Sequence, residues 1–138
     1  MKILVSACLL GENCKYNGGN NFCPKVAAFV EGHQVIPVCP ELEAGLGCPR
    51  VPMEIVDGRL VNKEGVLVDG KVRAAIEAIL QRIEGQEIDC AVLKSRSPTC
   101  GVRQVYDGTF TGTLTEGAGV LTQALQTAGI RVIDSEEV

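Results

Sequence analysis

Cysteine is the residue type with the most chemical potential in this sequence. Seven of the 138 residues are cysteines, and because seven is odd, they cannot all pair in internal disulfides. Successive cysteines lie 6, 9, 16, 9, 42 and 10 positions apart, so no CxxC pair exists. This spacing excludes a zinc ribbon, a thioredoxin-like redox motif and the four-cysteine run of bacterial ferredoxins. Any metal site must therefore combine cysteines that are distant in the sequence.

The hydrophobic pattern predicts strands that alternate with helices. Short apolar runs predict core strands at residues 2–6, 34–38, 89–94 and 130–133. Apolar residues three and four positions apart, with terminal proline or glycine signals, predict helices over 24–30, 71–83 and 115–128. We therefore expect an α/β fold: a single-domain, Rossmann-like three-layer sandwich with a mainly parallel sheet, spanning residues 1–138.

Two further stretches are predicted from their turn residues. The segment from Cys39 to Pro52 is rich in glycine and proline, which predicts a long ordered loop without regular structure. Loops of this length within a compact domain usually carry function. Residues 53–68 carry two short strands in this interpretation, joined by a turn at Asp57 and Gly58.

Three cysteines share one position relative to the predicted sheet. Cys8 and Cys39 come directly after predicted strands, and Cys100 lies six residues beyond Lys94, the end of a third. The carboxyl ends of parallel strands face one edge, where ligands bind. We therefore expect these three thiols to meet. Such a set suits an iron–sulfur cluster with one iron left open, or a zinc ion completed by water or a carboxylate.

The remaining cysteines have less specific interpretations. Cys48 lies in the same predicted loop as Cys39 and is the alternative third ligand. Cys90 lies within a predicted strand and is interpreted as a small buried apolar residue. Cys14 and Cys23 flank a glycine-rich loop and are interpreted as free thiols.

Composition excludes several classes of protein. The net charge is −4 and the pI is about 5.0, so the chain lacks the broad basic surface of a stand-alone nucleic-acid binder. No run approaches the length of a membrane span. Only three apolar residues follow Lys2 before a serine, too few for a secretory signal. We therefore expect a cytoplasmic protein with reduced thiols, which favours metal binding or catalysis over disulfide stapling.

Several segments resemble a known family. The resemblance runs in order over nearly the whole chain, and the family is that of the thiouracil desulfidases (TudS), long catalogued as a domain of unknown function. The matching segments are Ser6–Gly11, Val38–Glu41, Pro49–Glu54, Lys94–Gly101 and Tyr106–Phe110.

The resemblance implies a cofactor, a reaction and a ligand set. Members of the family are associated with a [4Fe-4S] cluster that is held by three cysteines and removes sulfur from thiolated uracil without net redox change. The ligand pattern maps onto Cys8, Cys39 and Cys100, with Cys48 as the alternate for the second position. The implied substrate is 2- or 4-thiouracil, or its nucleoside or nucleotide.

The implied chemistry assigns roles to three other residues. Water must attack the ring carbon, which requires a base, and Glu41 lies two positions after a proposed ligand. Ser97 and Lys94 are candidate proton donors, with Ser6 a weaker one. Lys94 can equally be a surface cation, and Ser97 can equally cap its own loop.

Two other functions stay open at this point. One is desulfuration of thiolated tRNA, for which a local basic patch would compensate the acidic balance; its residues are Lys15, Arg50, Lys94, Arg96 and Arg103. The other is a non-catalytic module that binds zinc or stores persulfide. We expect a monomer or homodimer with no membrane partner.

Overall fold

The computed structural model describes residues 1–138 and contains eight strands and four helices. The strands are β1 (Lys2–Ser6), β2 (Gln34–Val38), β3 (Met53–Val56), β4 (Arg59–Asn62), β5 (Cys90–Leu93), β6 (Gln104–Tyr106), β7 (Leu114–Glu116) and β8 (Val132–Asp134). The helices are α1 (Pro24–Val30), α2 (Pro40–Glu43), α3 (Asp69–Ile83) and α4 (Val120–Thr127).

A four-stranded parallel sheet organises the fold, in the order β2-β1-β5-β8. Two antiparallel hairpins, β3-β4 and β6-β7, lie outside it. The predicted α/β class with a mainly parallel sheet is confirmed. No helix has the length and apolar character needed to cross a membrane.

Alternating side chains of the central strand build two cores. Ile3 and Val5 of β1 pack with Val26 of α1, whereas Leu4 packs with residues of α3 and α4, such as Leu121. This separation follows from the two-residue period of a strand, which sends successive side chains to opposite faces. The helices therefore cover both faces of the sheet, and the predicted three layers are present.

Two sequence-based expectations about local structure are wrong. The segment 39–52 contains one helical turn, α2, because Pro40 occupies the first helical position, where its missing N–H is no loss. Thr115 lies in β7, and the last helix begins only at Val120. Gly117, with φ +159°, and Gly119, at the N-cap, separate the strand from the helix.

The start of α4 holds the loop that carries Cys100. The amide of Val120 donates to the carbonyl of Pro98 at 3.1 Å, and the amide of Leu121 donates to that of Thr99 at 2.8 Å. The Thr122 hydroxyl donates to the Cys100 carbonyl at 3.0 Å. The first amides of a helix lack acceptors within the helix. Here the loop carbonyls accept from these amides, and the hydrogen bonds fix the loop.

Candidate active site

One large cavity, of about 500 Å³, opens at the carboxyl ends of three sheet strands. Its walls include Ser6 at the end of β1, Cys8 after β1, Cys39 after β2, and the segment from Lys94 to Cys100 after β5. This is the edge where an open parallel sheet binds ligands. The connection between α2 and β3 and the β6-β7 hairpin complete the walls, with residues such as Arg50 and Phe110.

The structure brings Cys8, Cys39 and Cys100 together at this cavity. Asn21 Nδ2 lies 3.4 Å from Cys8 Sγ, and Thr99 Oγ1 lies 3.6 Å from Cys100 Sγ. Hydrogen bonds to ligating sulfurs stabilise thiolates and tune metal centres. The three thiols therefore fit a thiolate-ligated iron–sulfur cluster: an amide donor lies beside the sulfur of Cys8, and the hydroxyls of Ser6 and Thr99 lie beside that of Cys100.

Burial controls the protonation of these thiols. It raises the pKa of Cys100 to about 12, although nearby hydroxyls of Ser6 and Thr99 act in the opposite direction. Burial also raises the pKa of Cys39. Both groups are therefore protonated thiols at neutral pH without metal, and binding of iron must displace their protons.

The alternate ligand, Cys48, has a different environment. Its thiol donates to the carbonyl oxygens of Asn13 at 3.0 Å and Lys15 at 3.2 Å. Cys48 does not line the cavity, whereas Cys39 does. The geometry therefore favours Cys39 of the two residues that the sequence left open.

A fourth thiol lies at the cavity, and the sequence did not assign it to the site. Cys14 is 3% exposed and lines the wall beside Cys39, whose Sγ lies 3.9 Å from the Cys14 carbonyl oxygen. Burial, followed by the charges of Cys39 and Cys8, raises the pKa of Cys14 to about 12. No sequence pattern marks this position, because a turn rather than a strand precedes it.

The carboxylate of Glu41 is fixed at both oxygens. Arg50 Nε donates to Oε1 at 3.2 Å, in an ion pair whose side chains are only 6% (Arg50) and 14% (Glu41) exposed. The hydroxyl of Thr99 donates to Oε2 at 3.1 Å. A carboxylate held in this way has a defined orientation in the cavity, as a general base requires.

A chain of hydrogen bonds joins Glu41 to Ser97. The Ser97 hydroxyl oxygen accepts from the amides of Thr99 at 3.2 Å and Cys100 at 3.0 Å. A hydroxyl oxygen has two lone pairs, so Ser97 uses its own proton to donate to Thr99 Oγ1, 3.0 Å away. Thr99 in turn donates to Glu41, because a carboxylate only accepts. Thr99 is thus a site residue that the sequence reasoning missed.

Lys94 also lines the cavity, although its ammonium group contacts the neighbouring residue. Nζ donates to the carbonyl oxygen of Ser95 at 3.0 Å and to its hydroxyl at 3.2 Å. Burial and, after it, the positive charge of Arg96 lower the pKa of Lys94. A lower pKa makes an ammonium group a better proton donor, so Lys94 keeps the chemistry that the sequence suggested for it.

Most of the basic patch considered for tRNA is neutralised within the chain. Arg50 pairs with Glu41, and Arg96 and Arg103 pair with the C-terminal acids Glu136 and Glu137. Of the five basic residues, only Lys15 and Lys94 have no carboxylate partner. The surface around the cavity therefore offers few free charges for phosphates.

The arrangement of the thiols bears on which kind of metal site they can form, a single-ion site or a cluster site. No three cysteine, histidine or carboxylate side chains form a group that could hold one metal ion. A zinc ion needs its ligands around a single point, whereas each cysteine of an iron–sulfur cluster binds a different iron. Thiols that share a cavity but form no single-ion group are compatible with a cluster.

The fold and the site together define an α/β protein with a thiol-rich cavity at the carboxyl edge of a parallel sheet. Residues 3–137 match the family model described as 2-thiouracil desulfurase. This protein therefore belongs to the 2-thiouracil desulfurase family.

Two individual proteins are similar over almost their whole length. The uncharacterized protein YbbK of Bacillus subtilis (strain 168) is 34% identical over an alignment of 146 positions. The alignment covers 99% of this chain and 97% of the relative. The solved structure of the [4Fe-4S]-dependent thiouracil desulfidase TudS superposes with a TM-score of 0.92 at 33% identity, covering 99% of this chain and 92% of that one. The family expected from the sequence is thereby confirmed.

Proposed function

We propose that this protein is a [4Fe-4S]-dependent desulfidase that converts a thiolated uracil and water into uracil and hydrogen sulfide. One observation carries the proposal: three cysteines from distant loops share a cavity with a fixed carboxylate, Glu41. Membership of the 2-thiouracil desulfurase family supports the reaction, and the likeness to TudS supports the cofactor.

Cys8, Cys39 and Cys100 would hold the cluster through their sulfurs. When bound, a cluster with only three protein ligands supplies an iron that accepts a soft sulfur ligand such as a thiocarbonyl. Cys48 is not needed in this scheme, because its thiol contacts the backbone carbonyls of Asn13 and Lys15 and does not line the cavity.

Glu41 would take a proton from the attacking water. Arg50 and Thr99 hold its two oxygens, so the carboxylate meets the water in one orientation. The oxygen of that water becomes the new carbonyl oxygen of uracil. The two protons of the water leave with the sulfur as hydrogen sulfide. The reaction has no net oxidation or reduction, so it needs no electron donor.

Ser97 would return a proton to the departing sulfur or the ring nitrogen. Its contact with Thr99, and the contact of Thr99 with Glu41, connect it to the base, and to act as donor Ser97 must turn its hydroxyl proton from Thr99 to the substrate. Lys94 is the second candidate donor, because burial favours the loss of its proton. We further propose a cytoplasmic location, because all seven cysteines are free thiols, as in a reducing compartment.

The proposal is tested with protein purified without air. We expect a brown protein that releases sulfide and uracil in equal amounts from 2- or 4-thiouracil, with no added oxidant or reductant. Loss of the near-ultraviolet thione absorbance and a colorimetric sulfide assay follow the reaction. A colourless protein that contains zinc and releases no sulfide would contradict the proposal and favour the binding module.

Thiolated tRNA is the competing substrate. Because three of the five basic residues are paired, we expect weak, salt-sensitive binding of tRNA and little sulfide release from it. Sulfide release from thiolated tRNA at a rate equal to or above that from thiouracil would assign the tRNA substrate instead.

A further inference from the structure

The part of the cavity wall formed by the β6-β7 hairpin contains a residue with an unusual backbone. Phe110 lines the cavity and has φ +59°, in the left-handed region that a bulky side chain rarely occupies. Such a conformation costs free energy and persists only where the surrounding structure imposes it; it is common at binding sites. The TudS-like segment Tyr106–Phe110 contains this residue, and the proposed chemistry does not use it.

A buried carboxylate holds the strained backbone in place. Oε1 of Glu54 accepts from the amide of Phe110 at 3.1 Å and from the amide of Gly108 at 3.0 Å. Glu54 is 9% exposed and forms no ion pair. The two loop amides are therefore the hydrogen-bond donors to this carboxylate. These hydrogen bonds hold the loop in place.

Close packing reinforces this anchor. Gly108 has φ +91°, and a Cβ atom at this position would lie 2.6 Å from the carbonyl oxygen of Ile55. Only glycine permits the turn to approach β3 this closely. The loop that joins β6 to β7 is thus pinned twice, by contacts at Gly108 and at Phe110 itself.

The held side chain suits a flat ligand. A phenyl ring carries no hydrogen-bonding group, so it recognises a ligand through its face and its apolar area. The same cavity also carries polar groups, among them Glu41 and Lys94. A planar heteroaromatic ring with polar edges can contact the apolar ring and these polar groups at once.

We propose that Phe110 is the platform on which the pyrimidine ring of the substrate packs, and that Glu54 is the positioning residue that holds this platform. The inference rests on the proposed desulfidase function and adds to it the surface that orients the ring. Packing on Phe110 places the thiocarbonyl edge of the ring toward the cysteine wall.

The test measures the binding of uracil, which carries no sulfur, by equilibrium dialysis with radiolabelled uracil and cluster-loaded protein. Stacking of one base on an aromatic side chain contributes roughly 1–3 kcal/mol, so we expect Phe110→Ala to raise the Kd for uracil roughly 5- to 150-fold. The KM for thiouracil should rise with it, and kcat should change less. Phe110→Tyr keeps a flat ring and should bind uracil as wild type does.

Two further variants separate ligand packing from folding. Phe110→Gly removes the ring and the strain together, so we expect weaker binding with an unchanged or higher Tm. Glu54→Ala should weaken binding because the loop loses its anchor, whereas Glu54→Gln keeps one acceptor oxygen and should retain most of it. Phe22→Ala is the matched control, because Phe22 is 54% exposed and lies outside the cavity.

Each outcome bears on one of the two proposals. If wild type releases sulfide but Phe110→Ala binds uracil within twofold of wild type, the platform is wrong and the desulfidase stands. If Phe110→Gly lowers Tm sharply, the ring serves packing and the platform is again wrong. If wild type releases no sulfide, the proposed function fails and the substrate platform fails with it.

Discussion

The hydroxyl of Thr99 donates a hydrogen bond of 3.1 Å to Oε2 of Glu41, a residue 58 positions earlier in the chain. The same oxygen of Thr99 lies 3.0 Å from the Ser97 hydroxyl. Thr99 is 1% exposed, so no water can replace either contact without rearrangement. One buried hydroxyl therefore connects the proposed base with the proposed donor.

Replacing this hydroxyl tests the connection. Thr99→Val keeps the shape of the side chain but leaves Glu41 Oε2 without its donor, so we expect kcat to fall by roughly 10-fold to 100-fold. Thr99→Ser restores the hydroxyl and should recover most of the rate. Steady-state sulfide release at equal iron content compares the variants, and equal rates for valine and serine would show that the hydroxyl plays no part.

The role of Glu41 as a base predicts a rate effect without a cofactor effect. Glu41→Gln keeps an oxygen for Arg50 but cannot take up a proton, so sulfide release should fall by about 10² or more. Iron content and the visible spectrum should match wild type. Near-normal sulfide release would remove Glu41 from the mechanism, and loss of iron would show a structural role instead.

Close packing behind the Cys100 loop predicts a second, structural sensitivity. A Cβ atom at Gly119 would lie 2.4 Å from the carbonyl carbon and oxygen of Thr99, so Gly119→Ala must displace the loop or the helix. We expect a loss of about 1–3 kcal/mol in the free energy of unfolding, together with reduced iron loading. Gly70→Ala is the control, since nothing lies within 4 Å of its added methyl group and alanine favours a helix.

Chemical denaturation of both variants measures this difference. Gly119→Ala with wild-type stability and wild-type iron content would contradict the packing argument. Gly70→Ala should be as stable as wild type or more stable.

Cys90 predicts a pH dependence of stability. Burial raises the pKa of this thiol above its ordinary value of 9.0. Above pH 9 the unfolded chain therefore releases a proton that the folded chain keeps, and the free energy of unfolding falls as pH rises. Stability from this group is fully present below pH 9 and is lost as pH passes through the raised value.

The measurement compares wild type with Cys90→Ala in urea denaturation between pH 8 and pH 11. The alanine variant lacks this proton, so its stability should fall less steeply with pH. Parallel pH profiles would show that Cys90 ionises equally in the folded and unfolded chain.

The sheet and the meeting of the three thiols could be predicted because both follow from local patterns in the sequence. Apolar runs identify the parallel strands, and parallel strands place Cys8, Cys39 and Cys100 at one edge. The β6-β7 hairpin was missed because all three residues of β7 are exposed. Without a buried face, such a strand has no alternating pattern for sequence reasoning to detect.

The choice between Cys39 and Cys48 depends on contacts that the sequence does not encode locally. The thiol of Cys48 finds its acceptors at Asn13 and Lys15, 35 and 33 positions away. The role of Thr99 likewise depends on a distant residue, because its partner Glu41 lies in α2. Long-range contacts therefore decide which polar residues join the site.

Iron and acid-labile sulfide content of protein kept away from air tests the central claim most directly. The account predicts about four irons and four sulfides per chain in wild type, and the same in Cys48→Ser. Cys8→Ser, Cys39→Ser and Cys100→Ser should each lose most of the iron while remaining folded by circular dichroism. Wild type without iron, full iron in any one of these three variants, or loss of iron in Cys48→Ser would contradict the account.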